Sequence, residues 1–203
     1  MKIICIGRNY AEHAKEMNAP VPTEPVIFLK PDTALLKDNA PFFYPEFTKD
    51  LHHEVELVLK ISKMGRHIAP EFANRYYDEI GIGIDFTARD IQAKCKEKGL
   101  PWEKAKAFDN SAPIGKFLPK TKFATLDAIA FHLDVNGKTV QRGNTKDLLF
   151  SFDQLIAHVS QYFTLKTGDL IYTGTPEGVG PVKIGDRLEA FIGDEKLLEF
   201  EVK

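Results

Sequence analysis

The stretch Leu51–Ile61, LHHEVELVLKI, carries two glutamates two residues apart. In a β-strand successive side chains alternate faces, so His52, Glu54, Glu56 and Val58 would share one side while His53, Val55, Leu57, Leu59 and Ile61 form an apolar core face. Two residues of rise, at ~3.3 Å each, put the glutamates about 7 Å apart along the backbone. Inside a fold, neighbouring anions repel unless something neutralises them, and a divalent cation is the simplest neutraliser. The same pattern fits equally well an edge strand with both glutamates in water. Asp85 closes the run Ile80–Phe86, where Gly81 and Gly83 point to close approach of another chain segment or a ligand. Glu54, Glu56 and Asp85 make an all-oxygen set suited to Mg²⁺, Mn²⁺ or Ca²⁺ rather than zinc or copper. His52 has no cysteine or spaced histidine beside it, so it reads as a supporting or core residue. Three carboxylates and one dication leave roughly one negative charge, which Arg8, Lys30, Arg89 and Lys106, each beside a segment able to reach the site, would offset. That combination would let a metal chelate a 2-oxo acid.

The elements that must position these residues follow from the pattern around them. Lys2–Ile6 reads as a strand. Asn9–Met17 reads as a helix, with His13 and Glu16 three apart on one face. Asn18–Pro25, with Pro20, Pro22 and Pro25, reads as an irregular loop that would make residues 9–25 a lid. Val26–Leu29 is a strand, Pro70–Asp78 a helix opened by proline. Thr87-x-x-Asp90 predicts a capping box for a helix over Ala88–Lys98 that Gly99 stops, carrying Arg89 and Gln92 on adjacent turns. Pro101–Pro113 reads as loop. Asn136-Gly137 predicts a hairpin, Ser151-x-x-Gln154 caps another helix, and Leu170–Tyr172 is a strand. Thr173–Pro181, with three glycines and two prolines, is a shaped loop rather than a linker. Arg187–Ile192 and Leu197–Val202 are closing strands. Many short strands without regular βαβ alternation predict a mixed, strand-dominated α/β fold.

The 203 residues suffice for one full core, so a single domain over 1–203 is expected. A net charge of −2 lacks the basic excess of a nucleic-acid or membrane-surface binder. Cys5 and Cys95 form no C-x-x-C pattern, which is the usage of a reduced intracellular protein. No apolar run is long enough to be a signal or membrane span, so the cytoplasm is the expected compartment.

Taken together, GRNYAEHAKEM, EPVIFLKP, LHHEVELVL, DFTARDIQAKCKEKGLPWEKAKAFDNSAP and GDLIYTGTPEGVGPV are similar to the fumarylacetoacetate hydrolase family, specifically its short acylpyruvase and oxaloacetate decarboxylase branch. The resemblance spans nearly the whole chain. It implies a mixed β-sandwich roll, a homodimer, and Mg²⁺ or Mn²⁺ held by Glu54, Glu56 and Asp85. It further implies that His13, polarised by Glu16, activates water, and that Lys106 polarises the substrate. Lys30, Arg89 and Gln92 would line the pocket, and Thr175 would hold the substrate carboxylate. The implied activity is hydrolysis of a C–C bond in 3-acylpyruvates, with oxaloacetate decarboxylation at the same site. The rival within the family is isomerisation and decarboxylation of 2-hydroxyhepta-2,4-diene-1,7-dioate, with sugar-acid dehydration a weaker one. A silent, cation-stabilised binding module would have no need of His13, Glu16 and Lys106.

Overall fold

A computed structural model describes residues 1–17 and 20–203; Asn18 and Ala19, part of the expected lid loop, lie outside the described residues. The strands are β1 (Ile3–Gly7), β2 (Val26–Lys30), β3 (Leu35–Leu36), β4 (Leu51–His53), β5 (Val55–Ile61), β6 (Tyr77–Ile84), β7 (Thr87–Ala88), β8 (Ala112–Pro119), β9 (Ala130–Val135), β10 (Lys138–Asn144), β11 (Leu170–Tyr172), β12 (Gly180–Pro181), β13 (Arg187–Ile192) and β14 (Glu195–Glu201). The helices are α1 (Ala11–Glu16), α2 (Pro70–Ala73), α3 (Arg89–Lys98), α4 (Glu103–Lys106) and α5 (Phe152–Tyr162). One mixed sheet runs β2-β1-β11-β5-β6-β8-β3, a second runs β10-β9-β13-β14, and a short third runs β12-β4-β7. The pairs β1–β11 and β3–β8 are parallel. The fold is thus mixed α/β and strand-dominated.

Alternation along β5 sorts its side chains as the pleat requires. Val55, Leu57, Leu59 and Ile61 enter the main core with Ile80, Ile82 and Ile84 of β6, Leu133 of β9 and Leu155, Ile156 and Val159 of α5. Val58 faces the opposite side, in a smaller cluster with Ile3, Cys5 and Tyr172. Because β5 is bonded to β11 on one side and β6 on the other, it is an interior strand, and the edge-strand alternative is excluded. The glycines of β6 admit close neighbours: a Cβ at Gly83 would lie 2.8 Å from the Pro113 carbonyl oxygen and 2.7 Å from the Tyr172 ring.

Four local expectations change. The stretch 51–61 is not one strand: it breaks at Glu54, β4 pairing with β7 and β12 while β5 joins the large sheet. The helix expected over Pro70–Asp78 ends at Ala73, because Tyr77–Glu79 are taken into the ladder against Ile61 and Lys60. Thr87 does not cap α3. It lies in β7 and its hydroxyl donates to the Asp85 carbonyl (3.4 Å), while Asp90 accepts from the Thr48 hydroxyl (2.6 Å). Pro101–Pro113 contains the single turn α4 and the start of β8. Other signals stand as read. Asn136 and Gly137 take φ of 54° and 74° at the hairpin, Ser151 and Gln154 form the full capping box, and Gly99 ends α3 with φ 61°.

Candidate active site and metal centre

The break at Glu54 gathers the acidic residues. Asp85 follows the last residue of β6, and its N–H donates to the Glu54 carbonyl (2.8 Å), tying the two positions together through the backbone. Glu56 lies one pleat further along β5. One carboxylate oxygen of each of Glu54, Glu56 and Asp85 falls within 4.8 Å of the others. All three residues are buried, at 5%, 2% and 1% exposure.

Three cations balance them. Lys106, delivered by α4, places its ammonium between Glu54 Oε2 (2.8 Å) and Asp85 Oδ2 (2.6 Å). Arg89, the first residue of α3, reaches Glu54 Oε1 (2.6 Å) and donates to Gln92 Oε1 (2.8 Å). Lys30 sits behind Asp85, 2.8 Å from Oδ1, but its hydrogen bonds go to Ser111 O (2.9 Å), Ser111 Oγ (3.0 Å) and Phe86 O (3.3 Å). Asp85 Oδ1 therefore has an ion-pair neighbour and no hydrogen-bond donor. Three buried carboxylates, each with an oxygen within 4.8 Å of the others, make an all-oxygen donor set that fits a divalent cation.

The electrostatics of the glutamates diverge. Burial pushes the Glu54 carboxyl up, but Lys106 and Arg89 outweigh it and hold the group well below the usual carboxylate range. Burial and the neighbouring Asp85 push Glu56 well above that range, against the Gly174 N–H that donates to its Oε2 at 2.7 Å. Burial alone would lower Lys106; Asp85 and Glu54 instead hold it above its ordinary value. A cation would bind the ionised Glu56, so with its carboxyl pushed up, apparent affinity should rise with pH up to the folded-state pKa of that group, with proton release below it. Calorimetric Mn²⁺ titrations in two buffers of different ionisation enthalpy should therefore show proton release. Identical heats in both buffers would contradict it.

Over the triad lies α1. His13 is 6% exposed and lines a cavity of about 40 Å³ together with Glu54, Glu56, Asp85, Lys106 and Thr175. Arg8, Arg89, Gln92, Met17 and Trp102 complete most of the wall. Of the site residues read from the sequence, Lys30 and Glu16 stand outside this wall: Lys30 backs Asp85, and Glu16 reaches the site through His13. His52 also lies apart, its Nε2 paired with Asp50 at 2.8 Å. His13 Nδ1 lies 3.1 Å from Glu16 Oε2. A carboxylate only accepts, so Nδ1 carries a proton, and in the neutral ring Nε2 is the nitrogen with the free lone pair. The other Glu16 oxygen accepts from Gly178 N–H (3.0 Å), tying α1 to the Thr173–Pro181 loop. At the base of α1, Arg8 is held at φ 60°, and the Asn9 amide bonds Thr173 O (2.8 Å), Phe150 O (3.1 Å) and Phe150 N–H (2.8 Å).

Asn9, Gly174 and Gly178 were not legible as site residues; only the glycine content of the loop hinted at them. Gly174 takes φ 103°, and a Cβ there would sit 2.6 Å from the Asn9 Cβ. Gly174→Ala should cost about 1–3 kcal/mol and displace the Glu56 donor. A melting temperature within a degree of wild type would refute that role.

The family model for the fumarylacetoacetate (FAA) hydrolase C-terminal region matches residues 2–203. The chain is 46% identical over 201 residues to mouse (Mus musculus) mitochondrial oxaloacetate tautomerase FAHD1, covering 99% of this chain and 91% of that protein. It is 45% identical over 188 residues to the oxaloacetate tautomerase YcgM of Escherichia coli K12, covering 92% and 86%. Among solved structures, fumarylpyruvate hydrolase from Pseudomonas aeruginosa in complex with Mn²⁺ and pyruvate superposes with a TM-score of 0.93 at 38% identity, covering 100% of this chain and 89% of that one. No helix among the described residues is long and apolar enough to cross a membrane. The chain is an enzyme of the fumarylacetoacetate hydrolase family.

Proposed function

We propose that the protein is a divalent-metal-dependent enzyme that interconverts the keto and enol forms of oxaloacetate, with His13 as the base that moves the C3 proton. The observation that carries this reading is the His13–Glu16 pair closing a carboxylate triad whose ligand chemistry suits Mg²⁺ or Mn²⁺. The names of the mouse and E. coli relatives support it. Charge supports it too. The three carboxylates are already matched by Lys30, Arg89 and Lys106. A bound dication would thus leave two positive charges, suited to a dianionic substrate.

Glu54, Glu56 and Asp85 would hold the cation, which supplies Lewis acidity to the 2-oxo oxygen when bound. His13 Nε2 removes a proton from C3 of the keto form, the electron pair moves into the C2–C3 bond, and negative charge collects on the C2 oxygen. Lys106 faces that developing charge, and Thr175 holds a carboxylate. Proton return to the oxygen gives the enol; the reverse sequence gives the ketone. Glu16 keeps the His13 proton on Nδ1 throughout. The cavity of about 40 Å³ is the space of a few waters, and α1, which carries His13 over it, is the element whose movement would admit a four-carbon diacid.

Hydrolysis of 3-acylpyruvates is the second reading, favoured by the match to fumarylpyruvate hydrolase. There His13 would deprotonate water for attack on the distal carbonyl, and the pyruvate enolate would leave into the same charge-stabilising surroundings; decarboxylation of oxaloacetate generates the same enolate without water. The test is decay of enol-oxaloacetate absorbance beside acetylpyruvate hydrolysis, each with Mn²⁺ and with chelator. We expect both rates to need the metal and tautomerisation to be faster. Faster hydrolysis would promote the second reading, and no turnover of either would overturn both. A homodimer belongs to this proposal by family resemblance, and a cytoplasmic location by the cysteine usage of the chain; sedimentation at the mass of one chain would remove the first.

A further inference from the structure

Gln141, on β10 of the second sheet, is 1% exposed and touches none of the three acidic side chains, yet it joins two segments that build the site. Its Oε1 accepts from Val55 N–H (3.0 Å), the backbone link between Glu54 and Glu56, and from His53 Nδ1 (2.9 Å). Its Nε2 donates to Thr175 Oγ1 (2.9 Å) and to the Pro176 carbonyl (3.0 Å). The amide cannot be turned over. A backbone N–H only donates and a backbone carbonyl only accepts, so Val55 and Pro176 fix which end of the amide faces which neighbour. The Thr175 hydroxyl is consequently an acceptor toward the protein. Its own hydrogen makes no bond to any described residue, and Thr175 lines the cavity.

We infer that Gln141 is a positioning residue of the site, which commits the Thr175 hydroxyl to donate into the cavity, toward a carboxylate of a bound 2-oxo acid. The position arises from an irregularity in the hairpin: the β9–β10 register shifts between Thr139 and Gln141. A bulge of this kind re-aims a side chain. Here it accompanies a polar side chain buried against the other sheet instead of facing solvent. The inference rests on the proposed binding of a 2-oxo acid, but not on which reaction follows.

Gln141→Glu isolates the effect. It keeps an acceptor for Val55 and His53 but presents Thr175 with an acceptor, so the hydroxyl turns its hydrogen inward. With Mn²⁺-loaded protein, Gln141→Glu and Thr175→Val should each weaken pyruvate binding, read by calorimetry, and raise KM for oxaloacetate by roughly 10- to 100-fold, with kcat changed little. Thr175→Ser, which retains the hydroxyl, should stay near wild type. The double variant should be no worse than Thr175→Val alone, because both remove one interaction. Mn²⁺ affinity should be unchanged in Thr175→Val and Thr175→Ser, which leave the Gln141 contact with the Val55 N–H in place. Additive losses, or a Thr175→Val penalty that Gln141→Glu lacks, would overturn the positioning role while leaving the proposed reaction intact. Pyruvate binding with this Thr175 dependence but no turnover would instead overturn the reaction and leave the positioning role standing. If Gln141→Glu fails to fold, Gln141→Met replaces it in the same cycle. Unimpaired pyruvate binding in Thr175→Val overturns the inference by itself.

Discussion

His13→Ala should lower kcat for oxaloacetate tautomerisation by roughly 10²- to 10⁴-fold, the range for loss of a positioned general base. The loss follows from the Glu16 contact, which occupies Nδ1 and makes Nε2 the nitrogen able to accept a proton in the neutral ring. Since His13 belongs to α1 and not to the carboxylate set, Mn²⁺ affinity should stay within about threefold of wild type. Glu16→Gln should fall between the two enzymes. The amide no longer polarises the ring, although it can still accept from Nδ1 through its oxygen. Stopped-flow rates beside Mn²⁺ titrations check both statements, and a His13→Ala enzyme with wild-type kcat would remove the base from the mechanism.

Lys106→Met should separate stability, metal binding and turnover. Lys106 is 4% exposed, and its ammonium bridges Glu54 and Asp85. Removing one partner of a buried pair costs about 3–5 kcal/mol, and Arg89 and Lys30 remain to soften the loss, which argues for the lower end. A cost of ~3 kcal/mol corresponds to a melting temperature roughly 6–12 °C lower in a chain of this size. Losing a fixed positive charge beside the triad should tighten Mn²⁺ binding, so added metal should recover more stability in the variant than in wild type. Turnover should nevertheless fall roughly 10²- to 10³-fold, as when one donor to a developing oxyanion is removed. A variant with weaker metal binding would mean that Lys106 serves the cation rather than the substrate.

The acidic triad was legible because its signal is local. Two carboxylates at i and i+2 of an apolar run, and one at a strand end before a helix, announce themselves in the sequence. Their shared cavity was not, since it depends on the break at Glu54, where β4 leaves for a different sheet. Nothing in LHHEVELVLKI marks that break; a side chain 86 residues away, Gln141, takes up the Val55 N–H there. Local propensity also lost to pairing at Tyr77 and Asp78, which a helix-opening proline foretold as helix and β6, laddered against β5, claimed as strand. The Thr87 cap failed for the same reason: a two-residue bridge to β4 and the Asp85 carbonyl engaged the residue first. Lys30 was legible as a basic residue near the site. Its orientation, behind Asp85 and bonded to Ser111, came from β2 packing that a charge count does not contain.

The most direct test of the account is a Mn²⁺ titration of the wild-type protein beside Glu56→Gln, which keeps the shape of the side chain and removes its charge. The account predicts one ion per chain in the wild type, with affinity falling by at least roughly 100-fold in the variant. Equal affinity in the two proteins would show that the three carboxylates do not act together on a cation.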